Sequence, residues 1–152
     1  MTIENSHDPL NILLAEDDID DRLFFDKAIK GIPLESHLNI VENGDQLMQY
    51  LIANTKHPPD VLFLDLSMPG MTGFECLTEI KANDDLKDIP VIIFTTSFGR
   101  SNEYEQSLID TLTNIGSLAY LRKPEGLEAL KQLIYTALIM VRDKKSLLKK
   151  QN

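Results

Sequence analysis

Short apolar runs alternate five times with longer amphipathic stretches along this chain, and no other feature constrains the fold as strongly. The short runs are rich in Ile, Val, Leu and Phe, as expected for strands buried on both faces, and they span residues 11–15, 38–41, 61–64, 91–94 and 118–121. The longer stretches carry apolar residues at helical spacing, as Ile19, Leu23 and Ile29 do in the first, and they span residues 19–31, 45–54, 73–83, 102–115 and 125–148.

Strictly alternating strands and helices need right-handed crossovers and therefore a parallel sheet with helices on both faces. We predict an α/β fold with a doubly wound, five-stranded parallel sheet in the order 2-1-3-4-5, which flavodoxins share. The last helix would run for about 25 residues, or about 37 Å, which is longer than the sheet needs. The 152 residues suit one domain, so we expect an N-terminal extension over 1–9, a domain over 10–141 and a basic helical tail over 142–152.

Charge and composition exclude several classes of protein. The net charge is −9, and an acidic body repels nucleic acid, so we expect no DNA binding. The basic residues near the end are most simply a solvated helix terminus, with an acidic partner or a lipid surface as the alternative. No apolar run approaches the ~18 residues that a membrane span requires. Because Cys76 is the single cysteine, a disulfide framework is excluded, and a cytoplasmic location is the simplest interpretation.

Chemically reactive side chains follow four of the five predicted strands. In the order 2-1-3-4-5 these four strands are neighbours about 4.8 Å apart, and their carboxyl ends meet at one edge of the sheet. The side chains brought to this edge would be Glu16, Asp17 and Asp18 after the first strand, Asp65 after the third, Thr95 after the fourth and Lys123 after the fifth.

Carboxylates crowded at such an edge need a neutralising cation. Two carboxylates about 4 Å apart repel each other by about 4 kcal/mol at an effective dielectric constant near 20. Hard oxygen ligands suit Mg²⁺, and Asp65 beside such an ion can act as a nucleophile toward phosphorus, with Lys123 and Thr95 binding the phosphoryl oxygens. The alternatives are helix capping, which we expect of Asp18, a surface ion pair for Lys123 and ordinary strand propensity for Thr95.

These motifs closely resemble the receiver domain of bacterial two-component response regulators, of which chemotaxis regulators are examples. The resemblance covers about residues 10–140 and rests on Glu16-Asp17, Asp65 within LDLSMPGMTG, Thr95 and Lys123-Pro124. It implies that Asp65 accepts a phosphoryl group from a phosphohistidine. It also implies that Glu16, Asp17, Asp65 and the backbone carbonyl of Ser67 hold Mg²⁺, and that Thr95 and Lys123 bind the phosphoryl group.

The resemblance further implies a two-state switch. Thr95 would move toward the phosphoryl group, the Tyr120 ring would fill the space, and the surface of the fourth helix, fifth strand and fifth helix would change for a downstream protein target. A half-buried strand tyrosine is the alternative for Tyr120. The chain would be a signalling phosphoacceptor rather than an enzyme, promoting its own phosphorylation and dephosphorylation, with a sensor histidine kinase or a phosphotransfer protein as partner.

The chain departs from the pattern of this family in two places. The stretch from Thr95 to Lys123 is several residues longer than usual, with the extra residues expected within 98–105, and Glu125-Gly126 stands where an apolar residue is more usual. Members of the family often have a cis peptide bond before the proline equivalent to Pro124, which the sequence alone does not establish.

Other functions fit the sequence less well. There is no GxxxxGK[ST] or GxGxxG motif, and the acids after the first strand would repel the phosphate that a flavodoxin binds. Haloacid-dehalogenase phosphatases have a second acid where this chain has Ser67. A degenerate receiver that only binds proteins is the remaining alternative, and the intact site residues argue against it.

No helix-turn-helix or catalytic module is apparent, so we expect a stand-alone receiver. The surplus length of the last helix makes a homodimer or another helical partner a candidate, against a frayed amphipathic tail. The segment Thr95-Thr96-Ser97 and the long last helix are also similar to small regulators paired with phytochrome-type kinases, a likeness that we do not use to assign a partner.

Overall fold

The chain, described by a computed structural model over residues 8–96 and 102–151, folds into alternating strands and helices. The strands are β1 (Leu10–Ala15), β2 (Ser36–Val41), β3 (Val61–Leu64), β4 (Val91–Thr95) and β5 (Ala119–Arg122). The helices are α1 (Ile19–Lys30), α2 (Gly44–Ala53), α3 (Gly73–Ala82), α4 (Asn102–Ile115) and α5 (Leu127–Gln151). The strands are parallel in the order β2-β1-β3-β4-β5, which confirms the predicted fold. Residues 1–7 of the expected extension and residues 97–101 of the longer connection lie outside the described residues.

Successive strand residues point to two separate hydrophobic cores, one on each face of the sheet. Leu13, Leu62 and Ile93 face the core that α2, α3 and α4 complete. On the opposite face, α1 and α5 cover a cluster in which the Phe25, Phe63 and Phe94 rings meet edge to face, with centroids 5.1–6.2 Å apart. Because helices cover both faces, polar chemistry is confined to the ends of the strands.

Two expectations from the sequence were wrong. The strands β2 and β5 are not buried on both faces, because each lies at an edge of the sheet with one neighbouring strand. Ile19 and Leu23 do not contribute to the core but are each 62% exposed, since α1 turns Phe25, Ala28 and Ile29 inward. The peptide bond before Pro124 is trans.

The last helix, α5, is 25 residues long, as the sequence predicts. Leu130, Ile134 and Val141 on its inner face are buried. Beyond Val141 the Lys145 Nζ pairs with Asp60 Oδ1 at 2.7 Å, so the start of the expected tail lies against the domain just before β3. Among the helices in the described parts of the chain, none combines the length and the apolar character needed to cross a bilayer.

Candidate functional site at the carboxyl edge of the sheet

The buried polar side chains of this fold converge at the carboxyl edge of the sheet. Within the described residues, the polar side chains classed as buried are Glu16, Asp65 and Thr95, with 1%, 5% and 0% exposure. Glu16 directly follows β1, Asp65 directly follows β3 and Thr95 ends β4. Lys123 directly follows β5, and its backbone N–H donates to the Thr95 carbonyl at 2.9 Å. Parallel strands thus bring together residues up to 107 positions apart in the sequence.

The turn between β1 and α1 supplies two of the three clustered acids. Carboxylate oxygens of Glu16, Asp17 and Asp65 all lie within 4.8 Å of one another. Arg22 braces this turn, because its Nη1 donates to the backbone carbonyls of Glu16 and Asp17 at 3.1 and 3.0 Å. Asp18 caps α1, as the sequence predicts, and accepts a hydrogen bond from the Asp21 N–H at 2.9 Å.

The Lys123 ammonium is the cation of the site. Its Nζ lies 2.5 Å from Glu16 Oε1, 2.9 Å from Asp21 Oδ2 and 3.4 Å from Asp65 Oδ2. Its Nζ lies over the Phe94 ring, 5.8 Å from the centroid, and the side chain is only 10% exposed. One ammonium therefore faces three carboxylates in a nearly closed environment.

This crowding shifts the protonation of two groups. Burial raises the pKa of the Glu16 carboxyl, the hydrogen bond from Lys123 lowers it and the charge of Asp65 raises it, and together these effects give a pKa of about 7. Burial alone would lower the pKa of Lys123, but the hydrogen bonds to Glu16 and Asp21 raise it above the ordinary lysine value. The lysine is therefore charged at any physiological pH, and the electrostatics of the site are governed by its acids.

The Asp65 carboxylate is oriented on both of its oxygens. Oδ1 accepts from Thr95 Oγ1 at 3.1 Å and from the backbone N–H of Ser67 at 3.3 Å, while Oδ2 faces Lys123. Gly73, the first residue of α3, lies so close that a Cβ there would come within 2.4 Å of the Asp65 carbonyl oxygen. Both the side chain and the backbone of Asp65 are therefore fixed by their neighbours.

The donor set fits a hard divalent cation. Three carboxylates offering oxygens within 4.8 Å of one another, one of them exposed on Asp17, are the ligand type and number that Mg²⁺ takes in proteins with water completing its shell. Glu16, Asp17 and Asp65 could hold such an ion, and Ser67 lies next to them. The ion would offset a negative charge that Lys123 alone does not balance.

Tyr120 lies on β5, away from the acids of the cluster, and its side chain reaches α4. Its hydroxyl donates to Glu105 Oε2 at 3.0 Å, and Arg122 on the same strand also binds the Glu105 carboxylate. Glu105 belongs to the stretch that the sequence marks as longer than usual.

Sequence reasoning missed Asp21, Arg22 and Glu105. The acidic first turn of α1, with Asp20 and Asp21, was the one signal that pointed toward Asp21. The roles of Arg22 and Glu105 had no signal in the sequence, because each depends on where a long side chain reaches after folding.

Comparison with known proteins identifies what the chain is similar to. The family described as "Response regulator receiver domain" matches residues 12–135. The response regulator Rcp1 of Synechocystis sp. is 33% identical over 134 residues, which cover 83% of this chain and 91% of Rcp1. The two-component response regulator ARR6 of Arabidopsis thaliana is 29% identical over 136 residues, which cover 84% of this chain and 69% of ARR6.

Solved structures agree with these sequence matches. The Mn²⁺-bound form of Rcp1 superposes with a TM-score of 0.70 at 30% identity, over 84% of this chain and 91% of that structure. The phosphorylated cyanobacterial phytochrome response regulator RcpA superposes with a TM-score of 0.73 at 28% identity, over 86% of this chain and 91% of that structure.

Proposed function

Because this chain belongs to the family of response regulator receiver domains, we propose that Asp65 accepts a phosphoryl group from a phosphohistidine on a sensor histidine kinase or a phosphotransfer protein. One observation carries the proposal. Asp65, at the end of β3, is buried, yet it faces two other acids, a lysine and a threonine hydroxyl. A purely structural carboxylate would need one cation and no neighbouring acids.

The chemical step follows from this arrangement. An Asp65 carboxylate oxygen forms a bond to phosphorus while the bond from phosphorus to the donor imidazole nitrogen breaks, and the electron pair stays with the imidazole. Lys123 and Thr95 donate hydrogen bonds to the phosphoryl oxygens and offset their added negative charge. Later attack by water on the acyl phosphate returns the Asp65 carboxylate and inorganic phosphate.

The proposal includes Mg²⁺ held by Glu16, Asp17, Asp65 and the backbone carbonyl of Ser67. When bound, this ion would lower the electrostatic barrier to bringing an anionic phosphoryl group toward an acidic site. Rcp1, described with Mn²⁺ bound, supports the metal site, and RcpA, described in a phosphorylated form, supports the phosphoryl transfer. The oxygen donors of this chain favour Mg²⁺ or Mn²⁺ over softer metals.

Output would follow from movement of Thr95 and Tyr120. Thr95 already contacts Asp65 Oδ1, so a phosphoryl group there would draw its hydroxyl inward, and the Tyr120 ring would move into the space it leaves. Since Tyr120 is bound to Glu105, this movement would also change the surface of α4 and β5. We propose that this surface docks a downstream protein in the cytoplasm, and that the receiver unit spans residues 10–141.

The decisive experiment is incubation of the native chain and the Asp65→Asn variant with acetyl phosphate, with and without Mg²⁺, followed by intact-mass spectrometry. We expect a single phosphoryl adduct on the native chain that requires Mg²⁺, and none on the variant, because an amide oxygen is a much weaker nucleophile than a carboxylate.

Three outcomes would contradict the proposal. An adduct on Asp65→Asn would place the chemistry elsewhere, and a native chain that never gains mass would favour the degenerate receiver. Release of phosphate from small phosphate esters at a catalytic rate would favour the phosphatase alternative.

We also propose that α5 pairs with α5 of a second copy. Leu133, Met140 and Leu147 follow a seven-residue spacing on this helix, and Met140 and Leu147 are 40% and 60% exposed. Leu133 is partly packed against the core of its own chain, so Met140 and Leu147 would contribute most to the pairing, each at one of the two apolar positions of a coiled-coil heptad.

Light scattering over a range of concentrations tests this pairing. We expect the native chain to reach the mass of a dimer and Leu147→Glu to remain monomeric, because a buried charge opposes the seam. Ile52→Glu is the matched control, since Ile52 is 61% exposed on α2, and it should behave as the native chain does. A native chain that stays monomeric at every concentration, or an equal effect of both variants, would refute the pairing.

A further inference from the structure

We propose that Asp21 is a positioning residue for the phosphoryl transfer proposed above, acting by holding the Lys123 ammonium beside Asp65. The inference rests on the proposed function for its reaction, while the contact itself is a property of this structure. Asp21 Oδ2 lies 2.9 Å from Lys123 Nζ, closer than Asp65 Oδ2 at 3.4 Å, and Asp21 and Lys123 are 102 positions apart in the sequence.

The Lys123 ammonium has as many N–H donors as it has carboxylate partners. Lys has three N–H donors, and Lys123 contacts three carboxylates, those of Glu16, Asp21 and Asp65. The contacts to Glu16 and Asp21 are the shorter two, at 2.5 and 2.9 Å, and the contact to Asp65 is 3.4 Å. Glu16 and Asp21 therefore fix the position of Nζ, and the third donor is directed toward the phosphoryl acceptor.

Glu16 and Asp21, which make the two short contacts, differ in whether they would also bind a metal ion. Among the described residues, the three acids close enough to share a metal ion are Glu16, Asp17 and Asp65, and Asp21 is not one of them. A divalent cation would draw on the oxygens of Glu16 and Asp65, which are also partners of Lys123. Asp21 is then the carboxylate that remains available to hold the ammonium in the loaded site.

The start of α1 places the Asp21 carboxylate over the site. Asp18 caps the helix and binds the Asp21 N–H, which fixes Asp21 in the first turn. Side chains on a helix lean toward its N-terminus, and the N-terminus of α1 directly follows the acids after β1. The Asp21 side chain is 40% exposed while that of Lys123 is 10% exposed, so Asp21 lies over the lysine on its solvent side.

Asp20 provides a matched control for Asp21. It is an exposed acid in the same helical turn and is not a partner of Lys123. Asp20→Asn and Asp21→Asn remove the same charge from neighbouring positions, so any general effect of charge on an anionic donor should appear in both. Only Asp21→Asn removes the contact.

The experiment has two readouts, on the native chain and both variants. The first is the ¹⁵N–¹H signal of the Lys123 ammonium in solution, which slow exchange preserves when the group is held and shielded. The second is the initial rate of phosphoryl gain from acetyl phosphate with Mg²⁺, measured by intact mass.

We expect Asp21→Asn to lose the ammonium signal and to accept the phosphoryl group about tenfold more slowly, as the loss of one charge-assisted hydrogen bond implies. Asp20→Asn should keep the signal and remain within about twofold of the native rate. Asp21→Glu, which keeps a carboxylate, should recover part of the rate.

Equal behaviour of Asp20→Asn and Asp21→Asn in either readout would overturn the inference, and so would faster phosphorylation specific to Asp21→Asn. A native chain that gains no phosphoryl group would overturn the proposed function instead. The ammonium signal would then still decide whether Asp21 holds Lys123.

Discussion

Replacing Lys123 with methionine should lower the free energy of unfolding by about 3 kcal/mol in mildly alkaline solution without divalent metal, because removal of one partner strands a buried charge once Glu16 is ionised. The side chains of Glu16 and Asp65 are only 2% and 7% exposed, and both face the Lys123 ammonium. Methionine keeps much of the packing against Phe94 but leaves the two carboxylates with no cation between them. Urea denaturation in the presence of EDTA measures the loss.

The pH dependence of this loss follows from Glu16. Its pKa in the folded chain is about 7, above the ordinary value of 4.5, and the hydrogen bond from Lys123 is one of the influences that hold it down. The folded chain therefore binds the proton more tightly than the unfolded chain does, and stability falls as pH rises from the unfolded pKa through the folded pKa. In Lys123→Met the pKa of Glu16 in the folded chain rises above 7, so the pH range over which stability falls extends to higher pH. The deficit of the variant should be small at about pH 5 and should grow as pH rises through 7 into the alkaline range.

Lys87→Met is the control for removing a positive charge. Lys87 pairs with Asp84 on the surface at 3.5 Å, with 51% and 95% exposure, and such pairs contribute little. This variant should stay within about 1 kcal/mol of the native chain at every pH. If Lys123→Met were as stable as Lys87→Met, or if its deficit grew as pH fell, the electrostatic account of the site would be wrong.

The sequence predicted the architecture because parallel α/β folds have few options. Short apolar runs locate the strands, right-handed crossovers limit the topology, and the strand ends then define one edge for Glu16, Asp65, Thr95 and Lys123. The geometry brings these four together because each lies within one residue of a strand end. Their proposed chemical roles rest on the resemblance and on the family match.

What the sequence could not predict depends on side-chain reach and on which faces are covered. Asp21 meets Lys123 through side chains that start on different elements, so strand order alone does not reveal the contact. Apolar spacing in α1 marks Ile19 and Leu23 as members of a stripe, but whether a neighbouring element covers that stripe depends on how the helix is rotated. The same reason applies to Glu105, whose contacts depend on the register of α4 against β5.

Replacing Gly73 with alanine should lower the free energy of unfolding by about 2 kcal/mol, within the range for overpacked sites. The new Cβ would come within 2.4 Å of the Asp65 carbonyl oxygen and 2.7 Å of Leu66 Cα. These are backbone atoms, so rotation of a side chain cannot relieve the overlap. The start of α3 must move away from the end of β3, which outweighs the modest helix propensity that alanine gains over glycine.

The same displacement should disturb Asp65, because the new methyl group would contact the Asp65 backbone. We therefore expect Gly73→Ala to accept phosphoryl groups from acetyl phosphate more slowly than the native chain under conditions where it is still folded. Gly126→Ala is the matched control, because a Cβ there meets nothing within 4 Å and its backbone has no positive φ. That variant should stay within about 1 kcal/mol of the native chain, since alanine restricts the unfolded chain but is a poorer N-cap than glycine for α5. Equal stability of the two variants would show that α3 can shift without strain, and a destabilised Gly73→Ala with an unchanged rate would show that Asp65 is held by its side-chain partners alone.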